Sequence, residues 1–211
     1  MPFRSSVQWR THGPTPYLGI AQNAGMRSPN RLPAVTRRRA LGVAAAAGAS
    51  LCLSGRGMAA HVVKPWPEAR PVPDLELADL DGKPWKLGAH AGKVVVLNFW
   101  ATWCEPCRIE MPSLEAMALK LKPKGLVVCA INYKEPAEKV RQYLEKNPFK
   151  ATVLLDPDGD ATSDWTPRVF PSSVLIGRNG KPTSVVVGDL DWVGSVAREL
   201  IEPLLAAPAK A

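Results

Sequence analysis

From residue 93 to 100 the chain runs Lys93-Val94-Val95-Val96-Leu97-Asn98-Phe99-Trp100, apolar almost throughout and without alternation. A short β-branched run of this kind predicts a strand buried on both faces. Residues 126–131 repeat the pattern and predict a second buried strand. Between them, residues 105–121 carry the pattern of an amphipathic helix. Residues 136–146 predict another helix, with Pro136 in its first turn and Val140 and Leu144 on one face. Residues 152–155 predict a short strand ended by Asp156-Pro157-Asp158-Gly159. Residues 173–176 and 184–187 predict strands joined by an Asn179-Gly180 turn, and residues 192–205 a closing helix. Upstream, residues 75–77 and 85–87 flank Asp81-Gly82, a hairpin signal. Residues 61–73 hold Pro65, Pro67, Pro71 and Pro73, which favours an extended segment over a helix.

The predicted order is a β-hairpin, then βαβαβ, then ββα. This is an α/β chain with a mixed sheet and helices on both faces, its central crossovers parallel and right-handed. Three regions follow: an N-terminal extension over 1–60, a Pro-rich lead-in over 61–73 and a folded domain over 74–207. No internal repeat is present.

At 46% hydrophobic and 22% charged residues, the chain of 211 has the composition of a globular protein, which excludes disorder along its whole length. The net charge of +8 points to an anionic partner only until it is located. Residues 1–60 hold eight Arg and no Lys, Asp or Glu, leaving 19 basic and 19 acidic residues in 61–211. The folded part is formally neutral, and no nucleic-acid partner is expected.

Residues 36–60 have the form of an export signal. Arg37-Arg38-Arg39 precedes an Ala-rich apolar stretch over 41–54, shorter than the roughly 20 residues needed to span a bilayer. Arg38-Arg39-Ala40-Leu41 resembles the twin-arginine pattern, with a general secretory signal as the alternative. Small residues place cleavage near Ala60, an uncleaved short anchor being the other outcome. Leu51 ahead of Cys52 argues against a lipoprotein. A start at Met26 would give a leader of conventional length.

The candidate chemistry lies at the end of the first buried strand, in Trp103-Cys104-Glu105-Pro106-Cys107. A thiolate at a helix N-terminus is stabilised by free amide protons and the peptide dipoles, which lowers its pKa from an unperturbed ~8.5. Cys104 is expected to be the exposed nucleophile, with Cys107 one turn deeper as the resolving thiol. Glu110 lies three positions after Cys107, on the same helix face; if partly buried it would have a raised pKa and suit proton exchange near neutrality. By spacing alone an ordinary solvated acid is the commoner reading. A structural disulfide and half of a zinc site are the alternatives for the Cys pair. A zinc site needs two further ligands, and only Cys129, His61 and His90 remain outside the extension. Cys129, within an apolar strand, reads as a small core residue. No cofactor and no metal are expected.

Residues 94–112 resemble the thioredoxin-superfamily active site, and roughly 70–205 resemble the exported TlpA/ResA-like thiol–disulfide oxidoreductases. The resemblance rests on Asn98 through Arg108, on Glu110-Met111-Pro112, and on Asp156-Pro157-Asp158-Gly159 followed by Val169-Phe170-Pro171-Ser172-Ser173. It implies a thioredoxin fold with an N-terminal β-hairpin extension, an active-site acid at Glu110 and a cis proline at Pro171 facing the Cys pair. It also implies a substrate-binding surface at Trp103, Glu105, Pro106, Phe170 and Pro171. Three positions depart from the family pattern. Asn98 replaces the buried Asp of cytosolic thioredoxins, Phe170 is bulkier than the usual residue before the cis proline, and Ser172-Ser173 replaces a Thr-rich continuation.

The implied function is a periplasmic disulfide reductase. Its expected clients are exported proteins with oxidised Cys pairs, such as apocytochrome c haem-attachment sites or copper-site proteins, and a membrane electron donor would re-reduce it. Glu105-Pro106 lacks the His of strongly oxidising relatives, which favours a reductant. The alternatives are a copper-binding or delivery module built on the Cys pair and a peroxidase of the peroxiredoxin kind.

Overall fold

Strand β4 (Val94–Trp100) has all 7 residues buried, as its unalternating run predicts. The structure, a computed structural model, describes residues 61–208; the export-signal reading of 36–60 and the rest of the N-terminal extension lie outside them. Around β4 stand β1 (Val62–Pro65), β2 (Glu76–Asp79), β3 (Pro84–Lys86), β5 (Leu126–Tyr133), β6 (Thr152–Asp156), β7 (Ser172–Ile176) and β8 (Pro182–Val187). The helices are α1 (Glu105–Leu121), α2 (Ala137–Lys146), α3 (Asp160–Trp165) and α4 (Ser195–Ala206).

The eight strands form one sheet in the order β1-β8-β7-β4-β5-β6-β2-β3. β4, β5 and β6 are parallel neighbours, and all other pairings are antiparallel. The sheet is therefore mixed, with the hairpin β2–β3 added at the β6 edge. Thioredoxin-like architecture with an N-terminal hairpin is what the chain adopts.

Alternation along β4 separates two cores. Leu97 and Phe99 join Ile131, Leu154, Trp165 and Trp66 on one face. Val94 and Val96 join Leu114, Met117, Leu175, Trp192 and Ile201 on the other, under α1 and α4. A third cluster, with Trp100, Cys107, Met111, Ala130 and Val140, lies under α1 and α2 at the Cys end. The two outermost strands each contain a proline, Pro65 on β1 and Pro84 on β3.

Four local details differ from the sequence expectations. Residues 62–65 form a strand, because they pair with β8 from Val62↔Val187 to Pro65↔Ser184. A short α3 follows the Asp156 loop, fastened by Asp156: its carboxylate accepts from the Thr162 N–H at 2.8 Å and the Thr162 hydroxyl at 2.7 Å. Pro136 is the N-cap of α2 and not a member of its first turn. The last helix begins at Ser195, because Trp192 is held outside it with its N–H on the Ser113 hydroxyl at 3.1 Å. Among the described residues no helix is long and apolar enough to cross a membrane.

Candidate active site

β4 delivers the chain to α1 through the turn Ala101-Thr102-Trp103, closed by the Cys104 N–H donating to the Ala101 carbonyl at 3.1 Å. Cys104 is the N-cap of α1, in extended geometry, and its sulfur accepts the Cys107 N–H at 3.3 Å. The same amide proton and helix end would stabilise a Cys104 thiolate. Pro106 falls in the first helical turn, where a missing N–H removes no helical bond. Cys104 and Cys107 are joined as a disulfide with their Cα atoms 5.3 Å apart. In this oxidised form Cys107 is fully buried, and Cys104 is more buried than the sequence suggested, 5% exposed, because its sulfur is turned onto Cys107. Trp103 is the open residue of the motif, 60% exposed, and Glu105 and Pro106 are exposed beside it.

The loop before β7 packs through Phe170 against the buried cluster that holds Cys104 and Cys107. The Phe170–Pro171 bond is cis. The Phe170 ring meets Trp103 edge-on at 5.8 Å between centroids and Tyr133 at 5.0 Å. The structure thus brings Trp103 and Phe170, 67 positions apart, into one aromatic wall, which Tyr133 extends.

Glu110 is not a solvated acid. It is 4% exposed, and its carboxylate accepts from Asn98 Nδ2 at 2.6 Å, the Leu190 N–H at 3.1 Å and Trp192 Nε1 at 3.3 Å. Burial disfavours its charge strongly, the three donors offset only part of this, and nearby Asp189 adds repulsion, so the carboxyl is pushed up to about 7. Its hydrogen-bond partners are these three groups, not the sulfurs. Asn98 also donates to Ser173 Oγ at 2.9 Å, which ties the acid to the strand that follows Pro171.

Sequence reasoning did not find Trp192, Leu190, Ser173, Tyr133 or Glu135 as members of this neighbourhood. The departures at Asn98 and Ser173 were the available signal: a polar residue in a buried strand needs a partner, and these two partner each other. Cys129 is a buried free thiol whose burial disfavours ionisation, consistent with a core role.

Residues 69–184, more than half of the chain, match the model of the AhpC/TSA family. The chain is 31% identical over 119 residues to the thiol-disulfide oxidoreductase ResA of Geobacillus thermodenitrificans, covering 56% of this chain and 68% of that protein. It is 32% identical over 123 residues to the protein of the same name from Bacillus subtilis, covering 58% and 69%. Among solved structures it is similar to a provisionally named thiol:disulfide interchange protein DsbE from Chlorobium tepidum, with 34% identity and a TM-score of 0.60 over 64% of this chain and 94% of that one. The chain, with its Cys104–Cys107 pair at the head of α1, is therefore a thioredoxin-fold member of the AhpC/TSA family and a thiol–disulfide oxidoreductase.

Proposed function

We propose that this oxidoreductase works as an exported reductase of client disulfides. The observation that carries the reading is the placement of Cys104 as N-cap of α1, with the Cys107 amide proton on its sulfur and Phe170, ahead of the cis proline, packed against its cluster. The Cys104 thiolate attacks one sulfur of a client disulfide; a Cys104–client disulfide forms and the other client sulfur leaves as a thiolate. Cys107 then loses its proton, for which Glu110, the buried acid three positions further along α1, is the acceptor in reserve and not a direct hydrogen-bond partner, and attacks the Cys104 sulfur. The Cys104–Cys107 bond forms and the second client thiolate leaves, so the client gains two electrons and the chain is oxidised. A membrane electron donor returns it to the dithiol.

Trp103, Glu105, Pro106, Phe170 and Pro171 form the client surface, an extended client segment lying along the Phe170–Pro171 backbone. The leader over 36–60 supports export to the periplasm, and clients there with oxidised Cys pairs include apocytochrome c haem-attachment sites and copper-site proteins. The absence of His between the two Cys supports the reducing direction.

Cys107→Ser in the full chain tests the assignment. It should accumulate mixed disulfides that peptide mapping by mass spectrometry places on Cys104 and that identify the clients. Equal accumulation with Cys104→Ser would reverse the two roles. The potential of the pair should lie below about −200 mV, and a value near −120 mV would place the chain among the oxidants.

A further inference from the structure

The end of β5 and the turn after it, Tyr133-Lys134-Glu135, contact both Phe170 and Thr102. Glu135 is 6% exposed, and every contact of its carboxylate is short. Oε2 accepts the Thr102 N–H at 2.7 Å and Asn132 Nδ2 at 2.9 Å; Oε1 accepts the Thr102 hydroxyl at 2.7 Å and pairs with Lys139 Nζ at 2.8 Å. Thr102 stands in the turn that the Cys104 N–H closes, so this carboxylate is fastened to the backbone that carries the attacking sulfur. Burial opposes its charge, but Lys139, Thr102 and Asn132 outweigh burial and hold the carboxyl below the usual range.

The same segment reaches the cis-proline side. Tyr133 packs on Phe170, and the Lys134 N–H donates to the Asp156 carbonyl at 3.0 Å. Lys134 adopts a left-handed φ of 54°, uncommon for a residue with a side chain. One three-residue segment is thus attached to the Cys104 side through Glu135 and to the cis-proline side through Tyr133.

We propose that Glu135 is a positioning residue for Cys104, holding the Thr102 turn so that the sulfur faces the Phe170–Pro171 loop at the spacing a docked client disulfide needs. This deepens the reductase reading and rests on Cys104 being the attacking thiol. Removing the carboxylate takes the partner from two half-buried donors of Thr102 and one buried donor of Asn132. Misplacement of reacting groups by about 1 Å can slow a reaction on the order of 100-fold.

The test measures two rates on the reduced full chain: reduction of a synthetic peptide containing an intramolecular disulfide, which requires docking, and alkylation of Cys104 by iodoacetamide, which does not. Glu135→Ala and Glu135→Asp should lower the ratio of the first rate to the second by about 10-fold or more. Glu135→Gln, which keeps an oxygen for the Thr102 N–H, should recover most of it. Hydrogen exchange at the Thr102 amide should quicken in the same order. Glu138→Gln, on the exposed side of α2, serves as the control. A purely structural role would lower the melting temperature and leave the ratio unchanged. An unchanged ratio in folded Glu135→Asp or Glu135→Ala, or a Gln variant as impaired as the Ala variant, overturns the proposal. A parental chain that reduces no peptide disulfide overturns the reductase reading instead.

Discussion

Asn98 and Glu110 are joined by a 2.6 Å hydrogen bond from the Asn98 amide to the carboxylate, in a site with almost no solvent contact. It links the middle of β4 to the second turn of α1. An amide at position 98 supplies a donor to Glu110 without adding a negative charge of its own, so the repulsion on the carboxylate comes from Asp189 and not from β4. Burial is the largest influence on the proton affinity of Glu110 and, against its three donors, brings it close to neutrality.

The folded chain holds the Glu110 proton up to about pH 7, whereas its ordinary value is 4.5. A raised folded pKa contributes stability that is complete below about pH 4.5 and is lost as the pH rises through about 7. The loss is on the order of 3 kcal/mol. Urea midpoints of the oxidised chain should therefore fall over this window relative to those of Glu110→Gln. The same variant should slow disulfide exchange and remove the limb of its pH–rate profile near 7. Parallel stability curves for the two proteins would mean that Glu110 does not titrate as described.

Much of this was legible in the chain. The unbroken apolar run of β4 and the helical spacing of α1 are strong local signals, because burial on two faces or on one stripe leaves few other patterns. Asp81-Gly82 marked the β2–β3 hairpin for a similar reason. What stayed hidden depends on distant partners. β1 is four exposed residues held by pairing with β8, and nothing in Val62-Val63-Lys64-Pro65 itself requires a strand. α3 is a short, largely polar helix whose start is fixed by the Asp156 carboxylate. In the site, the Cys pair announced itself by spacing, whereas Glu135 and Trp192 reach it from 33 and 82 positions away along the chain.

Phe170 contacts two rings, Trp103 and Tyr133, and Phe170→Val removes both contacts while placing a smaller, β-branched residue before the cis proline. Aromatic pairs contribute about 0.5–1.5 kcal/mol each beyond area burial. Reduction of a peptide disulfide flanked by aromatic residues should slow roughly 3- to 10-fold, with oxidised glutathione reduced at the parental rate. Equal slowing of both substrates would show that the ring supports the Cys turn and does not select clients.

Gly159 has a φ of +77°, and a Cβ placed there would lie 2.3 Å from Lys134 Cε and 2.6 Å from Tyr133 Cε2. Gly159→Ala should destabilise the chain by at least about 1 kcal/mol. Because the displaced groups belong to the segment that carries Glu135, peptide reduction should slow as well. A melting temperature equal to that of the parent would show that the 156–159 loop accommodates the methyl group without moving its neighbours.

The prolines of the two outermost strands have a consequence for how the sheet meets other chains. Pro65 and Pro84 each remove an amide donor from a rim of the sheet. A rim with gaps in its donor row is a poor template for copies of itself. Self-polymerisation is discouraged at both margins.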